Sequence, residues 1–310
     1  MKAIMYHYVR EFDPQMPNFK HLHFEDFCKQ LDYFQAEYDF VSKEDFIDSF
    51  HSNNLLPKGV ILTFDDGLSC HYNYVFKELK RRNLWGIFYV PTQPYMQGKF
   101  IDVHKVHLLL GMFSTEEILK SLLGIINDDL INHEYKEKFE SLVYKHQDND
   151  ANALLVKQIL NYFIKNEFKS MVVDQLFSIY ISDQSILLEN FYIKPHQLKE
   201  MNKAGMIIGS HTITHPVLSK LSYKEQLLEI KDSFHCLENM SGELGAKTFC
   251  FPYGGFHSFN DDTIEILETE NVLFSFNVEH RDIIKNDLKY KKQYLPRYDC
   301  NQFLFGQVRK

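Results

Sequence analysis

Short apolar runs of strand length alternate along the chain with longer stretches in which apolar side chains recur at helical spacing. The pattern predicts strands at Ala3–Tyr8, Asp39–Val41, Gly59–Phe64, Gly86–Val90, Met206–Ser210, Thr248–Phe251 and Leu273–Asn277. Between them it predicts helices over Phe24–Glu37, Lys43–Ser52, Tyr72–Arg82, Pro195–Ala204, Tyr223–Met240 and Asp261–Glu270. Ser222 stands three residues before Glu225 and Ser42 three before Asp45, so hydroxyl and carboxylate can satisfy the first free amides of a helix. Gly205 and Gly242 fall where a helix end needs a left-handed residue. Strands alternating with helices point to parallel strands joined by helical crossovers, as in a barrel or a doubly wound sheet.

One stretch breaks the alternation. From about Ser114 to Asn190 only charged amphipathic helix is visible, over Glu116–Ile126, Tyr135–Tyr144, Ala153–Lys165 and Val172–Ile181. The expectation is a single domain over residues 1–310 with a helical insertion near 114–190, serving as a lid, as a subunit interface or as solvent-facing decoration.

Composition narrows the function. The 310 residues are 45% hydrophobic and carry 27 Phe and 18 Tyr, ample material for a core. A formal charge of −8 argues against a nucleic-acid partner, whose phosphates such a surface repels. Five cysteines with no C-x-x-C spacing fit reduced thiols better than a disulfide framework or a thiolate zinc site. No run approaches the ~18 apolar residues of a membrane span, and the N-terminal residues lack the pattern of a secretion signal. These features lead to the expectation of a cytoplasmic protein.

Two motifs carry chemistry. Thr63-Phe64-Asp65-Asp66-Gly67 directly follows the apolar run Gly59–Leu62. Paired carboxylates at the end of a buried strand are costly to desolvate, and Gly67 permits a turn sharp enough to aim both into one cavity. An acidic turn capping the next helix is the plainer reading. His211-Thr212-Ile213-Thr214-His215-Pro216 follows the run Met206–Gly209, and imidazoles four apart converge on one ion if the segment makes a helical turn. With 15 histidines in the chain, a chance pair is the plainer reading here. Together the motifs supply Asp plus two His, which leaves coordination positions open, and a second carboxylate to act as base.

With these residues in view, the sequence resembles the polysaccharide deacetylases, the NodB-homology family or carbohydrate esterase family four. Thr63–Gly67 matches that family's first motif, His211-Thr212-x-x-His215 its second, and Phe251-Pro252-Tyr253-Gly254 resembles its third. The resemblance covers roughly residues 1–100 and 200–300. It implies a distorted (β/α) barrel of about seven strands and metal-dependent removal of an acetyl group from a sugar. It also implies Asp65 as general base, with Asp66, His211 and His215 as metal ligands. The backbone N–H of Tyr253 would donate to the oxyanion and its ring would line the sugar pocket.

Two departures stand out. The third motif ordinarily begins with an arginine that pairs with the catalytic carboxylate, and that position is Cys250. Arg297, in Leu295-Pro296-Arg297-Tyr298, is the candidate replacement, with a surface arginine as the alternative. The family's late L-x-H motif, source of the general acid, has only a poor match at Val278-Glu279-His280. Met5-Tyr6-His7-Tyr8-Val9 resembles relatives whose histidine has moved to the first strand, a circular permutation of motif order, so His7 is preferred over His280. A core histidine is the plainer reading of His7.

Asp–His–His ligation suits Zn²⁺ first, with Co²⁺, Ni²⁺, Mn²⁺ and Fe²⁺ compatible. The expected substrate is an acetamido sugar in a nucleotide-linked, lipid-linked or free precursor of a surface glycan. A formamide or cyclic-imide hydrolase and a non-catalytic glycan-binding relative are the competing functions.

Overall fold

The computed structural model describes residues 1–51, 56–139 and 150–308. Seven parallel strands form its central sheet: β1 (Lys2–Tyr6), β2 (Val60–Phe64), β3 (Ile87–Val90), β4 (Ile207–Ser210), β5 (Thr248–Cys250), β6 (Phe274–Phe276) and β7 (Tyr298–Asp299). Their order is β6-β5-β4-β3-β2-β1-β7, so the first six are laid down in sequence. The sheet curls into a half-barrel, and the segment carrying β7 spans the gap between its edges. On one edge Leu295 N–H donates to Ser275 O at 2.9 Å and Asn277 N–H to Leu295 O at 2.8 Å. On the other, Tyr298 and Asp299 pair with Ile4 and Met5.

Every residue of β2, β3 and β4 is buried, as parallel strands covered on both faces require. Alternate residues serve opposite faces. Ile4, Tyr6, Leu62, Phe64, Phe88 and Ile208 pack outward against Phe27, Leu31 and Phe34 of the helix Phe24–Glu37. Ala3, Ile61, Ile87, Tyr89 and Ile207 fill the inner side with Cys250, Phe274 and Phe276. Gly209 belongs to this inner set, because a Cβ there would stand 2.5 Å from the Tyr89 ring. The register Tyr6↔Phe64 and Val90↔Ser210 brings the C-terminal strand ends to one rim, where Asp65 and His211 follow directly.

The expected distorted barrel of about seven strands is what forms, though one member differs. Asp39–Val41 shrinks to a single bridge, Phe40 with Val60, because Asp39 at φ 60° and Gly59 at φ 130° bend the chain on either side. The seventh strand is instead the two-residue β7. Tyr72–Arg82 is recast as a π-helical segment, His71–Phe76, followed by α-helix over Lys77–Arg81. The Ser222/Glu225 capping box forms as expected, and Ser42 accepts from the Asp45 amide.

The chain gathers into two compact units, the barrel and one built from Phe12–Lys20 and Phe100–Leu187. The second is helical, with Asp102–Met112, Thr115–Ile125 and Asn166–Tyr180 burying Val106, Leu109, Ile118, Leu122, Val173 and Leu176. Within it Lys105 is buried and paired with Asp102 at 3.1 Å and with Asp174. The expected helices Lys43–Ser52 and Tyr135–Tyr144 appear as Lys43–Asp48 and His133–Phe139; Ser52 and residues 140–144 lie outside the described residues. Among the described residues no helix is long and apolar enough to cross a membrane.

Candidate active site

At the end of β2 the chain must leave a fully buried strand within two residues. Asp66 at φ 82° and Gly67 at φ 61° make that turn, and Gly67 lies against Val90, where a Cβ would come within 2.9 Å. Asp65 keeps the inward parity of Ile61 and Thr63, and its carboxylate meets Arg297 in a bidentate pair. Nη1 donates to Oδ1 and Nη2 to Oδ2, each at 2.8 Å. Arg297 Nη1 also donates to Thr63 Oγ1 at 3.0 Å, and Nη2 lies 2.9 Å from Cys250 Sγ. Both ends of the pair are buried, Asp65 at 2% exposure and Arg297 at 1%. Burial alone would raise the Asp65 carboxyl, but Arg297's charge and hydrogen bonds, with His211 and His7 nearby, outweigh it and hold it at about 2. Burial works against the Arg297 charge as well, and Asp65 and Cys250 more than restore it.

Asp66, one residue on, belongs to a different set. Its Oδ1 stands 3.5 Å from His211 Nε2 and 3.6 Å from His215 Nε2. One ligand atom from each of the three residues lies within 4.8 Å of the others, and all three are buried. These residues fit a metal. His211 Nδ1 lies 2.8 Å from the Cys250 carbonyl, which can only accept, so Nδ1 carries the proton and Nε2 is the nitrogen offered to an ion. Burial disfavours an imidazolium at His211, yet Cys250 and the carboxylates of Asp66 and Asp65 lift its pKa well above 6.5. A cation bound at Nε2 would compete with a proton there.

The turn that joins the two imidazoles is strained and specifically held. Thr212 at φ 66° and His215 at φ 59° sit in left-handed backbone, which a β-branched threonine adopts only under constraint. The constraint comes from Glu229, on the helix Tyr223–Ser241. Its carboxylate accepts from Ile213 N at 2.8 Å, Thr214 N at 2.9 Å and Thr214 Oγ1 at 2.7 Å. Burial pushes the Glu229 carboxyl up, opposed by those hydrogen bonds. Thr212 Oγ1 in turn accepts from His215 N at 3.0 Å.

Tyr253 lies beside this turn, its ring centroid 4.9 Å from that of His215, in left-handed backbone at φ 65°. His7 follows β1, whose Tyr6 carbonyl accepts from Asp65 N at 2.9 Å, so it lies at the same rim. His280 is exposed, beyond the end of β6. Thus Asp65, Asp66, His211, His215, Tyr253, Arg297 and His7 gather at one end of the barrel. Sequence reasoning missed Glu229 and His71. Glu229 looks like any polar residue of an amphipathic helix. His71, fully buried with Nε2 2.6 Å from the His7 carbonyl, stood just outside the first motif with no spacing to flag it.

Residues 149–272 match the sequence model of the polysaccharide deacetylase family. The match contains His211, His215 and Tyr253, begins inside the stretch expected to be an insertion, and includes neither the Asp65–Asp66 pair nor Arg297. No curated protein matches the chain. Solved structures share its fold. The deacetylase PplD of Streptococcus pyogenes, solved with acetate, superposes with a TM-score of 0.58 at 18% identity, covering 98% of this chain and 92% of that one. IcaB from Ammonifex degensii gives 0.52 at 19% identity over 89% and 82% of the two chains. A de-N-acetylase from Aggregatibacter actinomycetemcomitans gives 0.52 at 16% over 96% and 93%. The resemblance to the polysaccharide deacetylases read from the motifs is borne out.

Proposed function

We propose that this chain acts as a deacetylase of the polysaccharide deacetylase type and hydrolyses the N-acetyl group of an acetamido sugar with the help of a divalent ion. The observation that carries the reading is the division of labour between adjacent carboxylates. Asp65 is locked to a guanidinium, while Asp66 faces two imidazoles whose ligand atoms converge with its own. Asp66, His211 and His215 would hold a divalent cation, Zn²⁺ the first choice, which when bound would supply Lewis acidity at the acyl carbonyl and lower the pKa of a water beside it.

The protein's own groups do the rest. Arg297 keeps Asp65 ionised across the working pH range and fixes its orientation. A carboxylate held at about 2 is a weak base, so it can take a proton only from water whose own pKa has been brought down. As that water adds to the acetyl carbon, charge grows on the carbonyl oxygen, and the backbone N–H of Tyr253 is the donor for it. His7 protonates the sugar nitrogen as the C–N bond breaks, giving amine and acetate. The Tyr253 ring lines the pocket for the sugar.

The test is acetate release. Metal-stripped protein reloaded with Zn²⁺ is incubated with free, nucleotide-linked and oligomeric N-acetylated sugars. Ion-dependent acetate release from at least one of them is expected. Release of formate from a formamide with no acetate from any sugar would sink the reading.

A further inference from the structure

The rim of the barrel fixes three successive carbonyls of the segment carrying His7. Tyr6 O accepts from the Asp65 amide at 2.9 Å, and Tyr8 O accepts from the Leu22 amide at 2.9 Å. The carbonyl between them, that of His7, is held by a side chain: His71 Nε2 lies 2.6 Å from it. A carbonyl can only accept, so Nε2 carries the proton, and Nδ1, buried without an acceptor beside it, is left bare in the neutral tautomer.

That arrangement costs something to maintain. His71 is 0% exposed, and its Nδ1 has no hydrogen-bond partner among the described residues. Its ring lies among aromatics, 5.7 Å from Phe64 and 6.0 Å from Phe88, which fill the space around it and offer no acceptor. A buried polar atom left unsatisfied is destabilising, so packing alone would favour leucine or phenylalanine here. What histidine adds is one donor, aimed at one carbonyl. The residue also opens the π-helical segment His71–Phe76, a rare form of backbone that is frequent at functional sites.

We propose that His71 is a positioning residue for His7. Its Nε2–H fixes the peptide from which the His7 imidazole reaches the leaving nitrogen, taking up a carbonyl that the β1–β2 ladder no longer pairs once β2 turns away at Asp66. The proposal rests on the reading of His7 as the general acid. His71 acts through the backbone of its neighbour.

A double-mutant cycle tests it, with kcat, KM, the pH profile and metal content measured for His7→Gln, His71→Phe, His71→Gln and His7→Gln/His71→Phe in the ion-loaded protein. His71→Phe should lower kcat about tenfold, shift the alkaline limb of the pH profile that reports the general acid, and leave KM and metal content within twofold of wild type. His71→Gln, whose amide can donate to the same carbonyl, should recover most of the loss. In the His7→Gln background the phenylalanine substitution should cost nothing further. A fully additive cycle, or a His71→Gln variant as impaired as His71→Phe, overturns the proposal while leaving His7 as acid. An unaltered kcat in His7→Gln removes the acid assignment itself and the proposal with it. Should His71→Phe fail to fold, ¹⁵N NMR of the wild type decides: a slowly exchanging His71 Nε2–H with coupling to the His7 carbonyl is required, and its absence overturns the anchor.

Discussion

Asp65 and Asp66 are neighbours in sequence, equally buried, and placed by the folding in two different electrostatic regions. The Asp65 side is closed: Arg297, Thr63 and Cys250 surround the carboxylate, and the guanidinium matches its charge. The Asp66 side is convergent: two imidazole nitrogens face one carboxylate oxygen. The difference teaches that residue type does not assign the role. A single turn through φ 82° sends two like charges to different partners, one to a guanidinium and one to a pair of imidazoles.

The sharpest way to break this comparison is to remove one charge at a time. Asp65→Asn should lower kcat by roughly 10³-fold or more while the protein still takes up one ion per chain. His211→Ala should lose activity to a similar degree and also its ion, read by metal analysis after dialysis. If Asp65→Asn lost the ion as well, the two regions would be one.

Next in size is the pair itself. Arg297→Met leaves Asp65 buried without a counter-charge, which should cost about 3–5 kcal/mol in denaturant unfolding. The double substitution Arg297→Met/Asp65→Asn should recover a good part of that loss, since no charge is then stranded.

Acid provides a gentler probe. The folded pKa of Asp65 is held at about 2, below its ordinary 3.8, so the unfolded chain binds the proton more readily. The pair's contribution, about 2 kcal/mol, is complete above pH 4 and is lost as pH falls from about 4 toward 2. The pH dependence of unfolding in that window should therefore be shallower in Asp65→Asn.

The smallest effect tests the other region from outside. Glu229→Gln loses the charge that the turn amides favour but keeps an acceptor, so ion affinity measured by calorimetry should weaken about tenfold, with Asp65 untouched. Unchanged affinity would mean the strained turn holds without it.

Much of this was legible in the sequence, and the limits of legibility have a physical cause. β2, β3 and β4 are largely apolar because both faces are covered, so Val60–Phe64, Ile87–Val90 and Ile207–Ser210 stand out. The motifs that end β2 and β4 follow those runs and inherit their visibility. Asp39–Val41 has strand-like residues but flanking positive-φ positions that local pattern does not reveal. Tyr298–Asp299 is too short to carry a period, and its pairing with Ile4 and Met5 joins the two ends of the chain. Arg297 could be named as a candidate because an arginine was missing where Cys250 stands, but only the fold brings it to Asp65. Glu229 and His71 act on backbone groups, whose positions no residue pattern encodes.

The segment Leu295–Asp299 joins the two sheet edges and carries the guanidinium that neutralises Asp65. Closure of the barrel and completion of the Asp65–Arg297 charge pair thus depend on the same few residues. This segment follows in sequence every strand it must join, so a chain still being made holds an open sheet and a carboxylate without its counter-charge until the segment is in place.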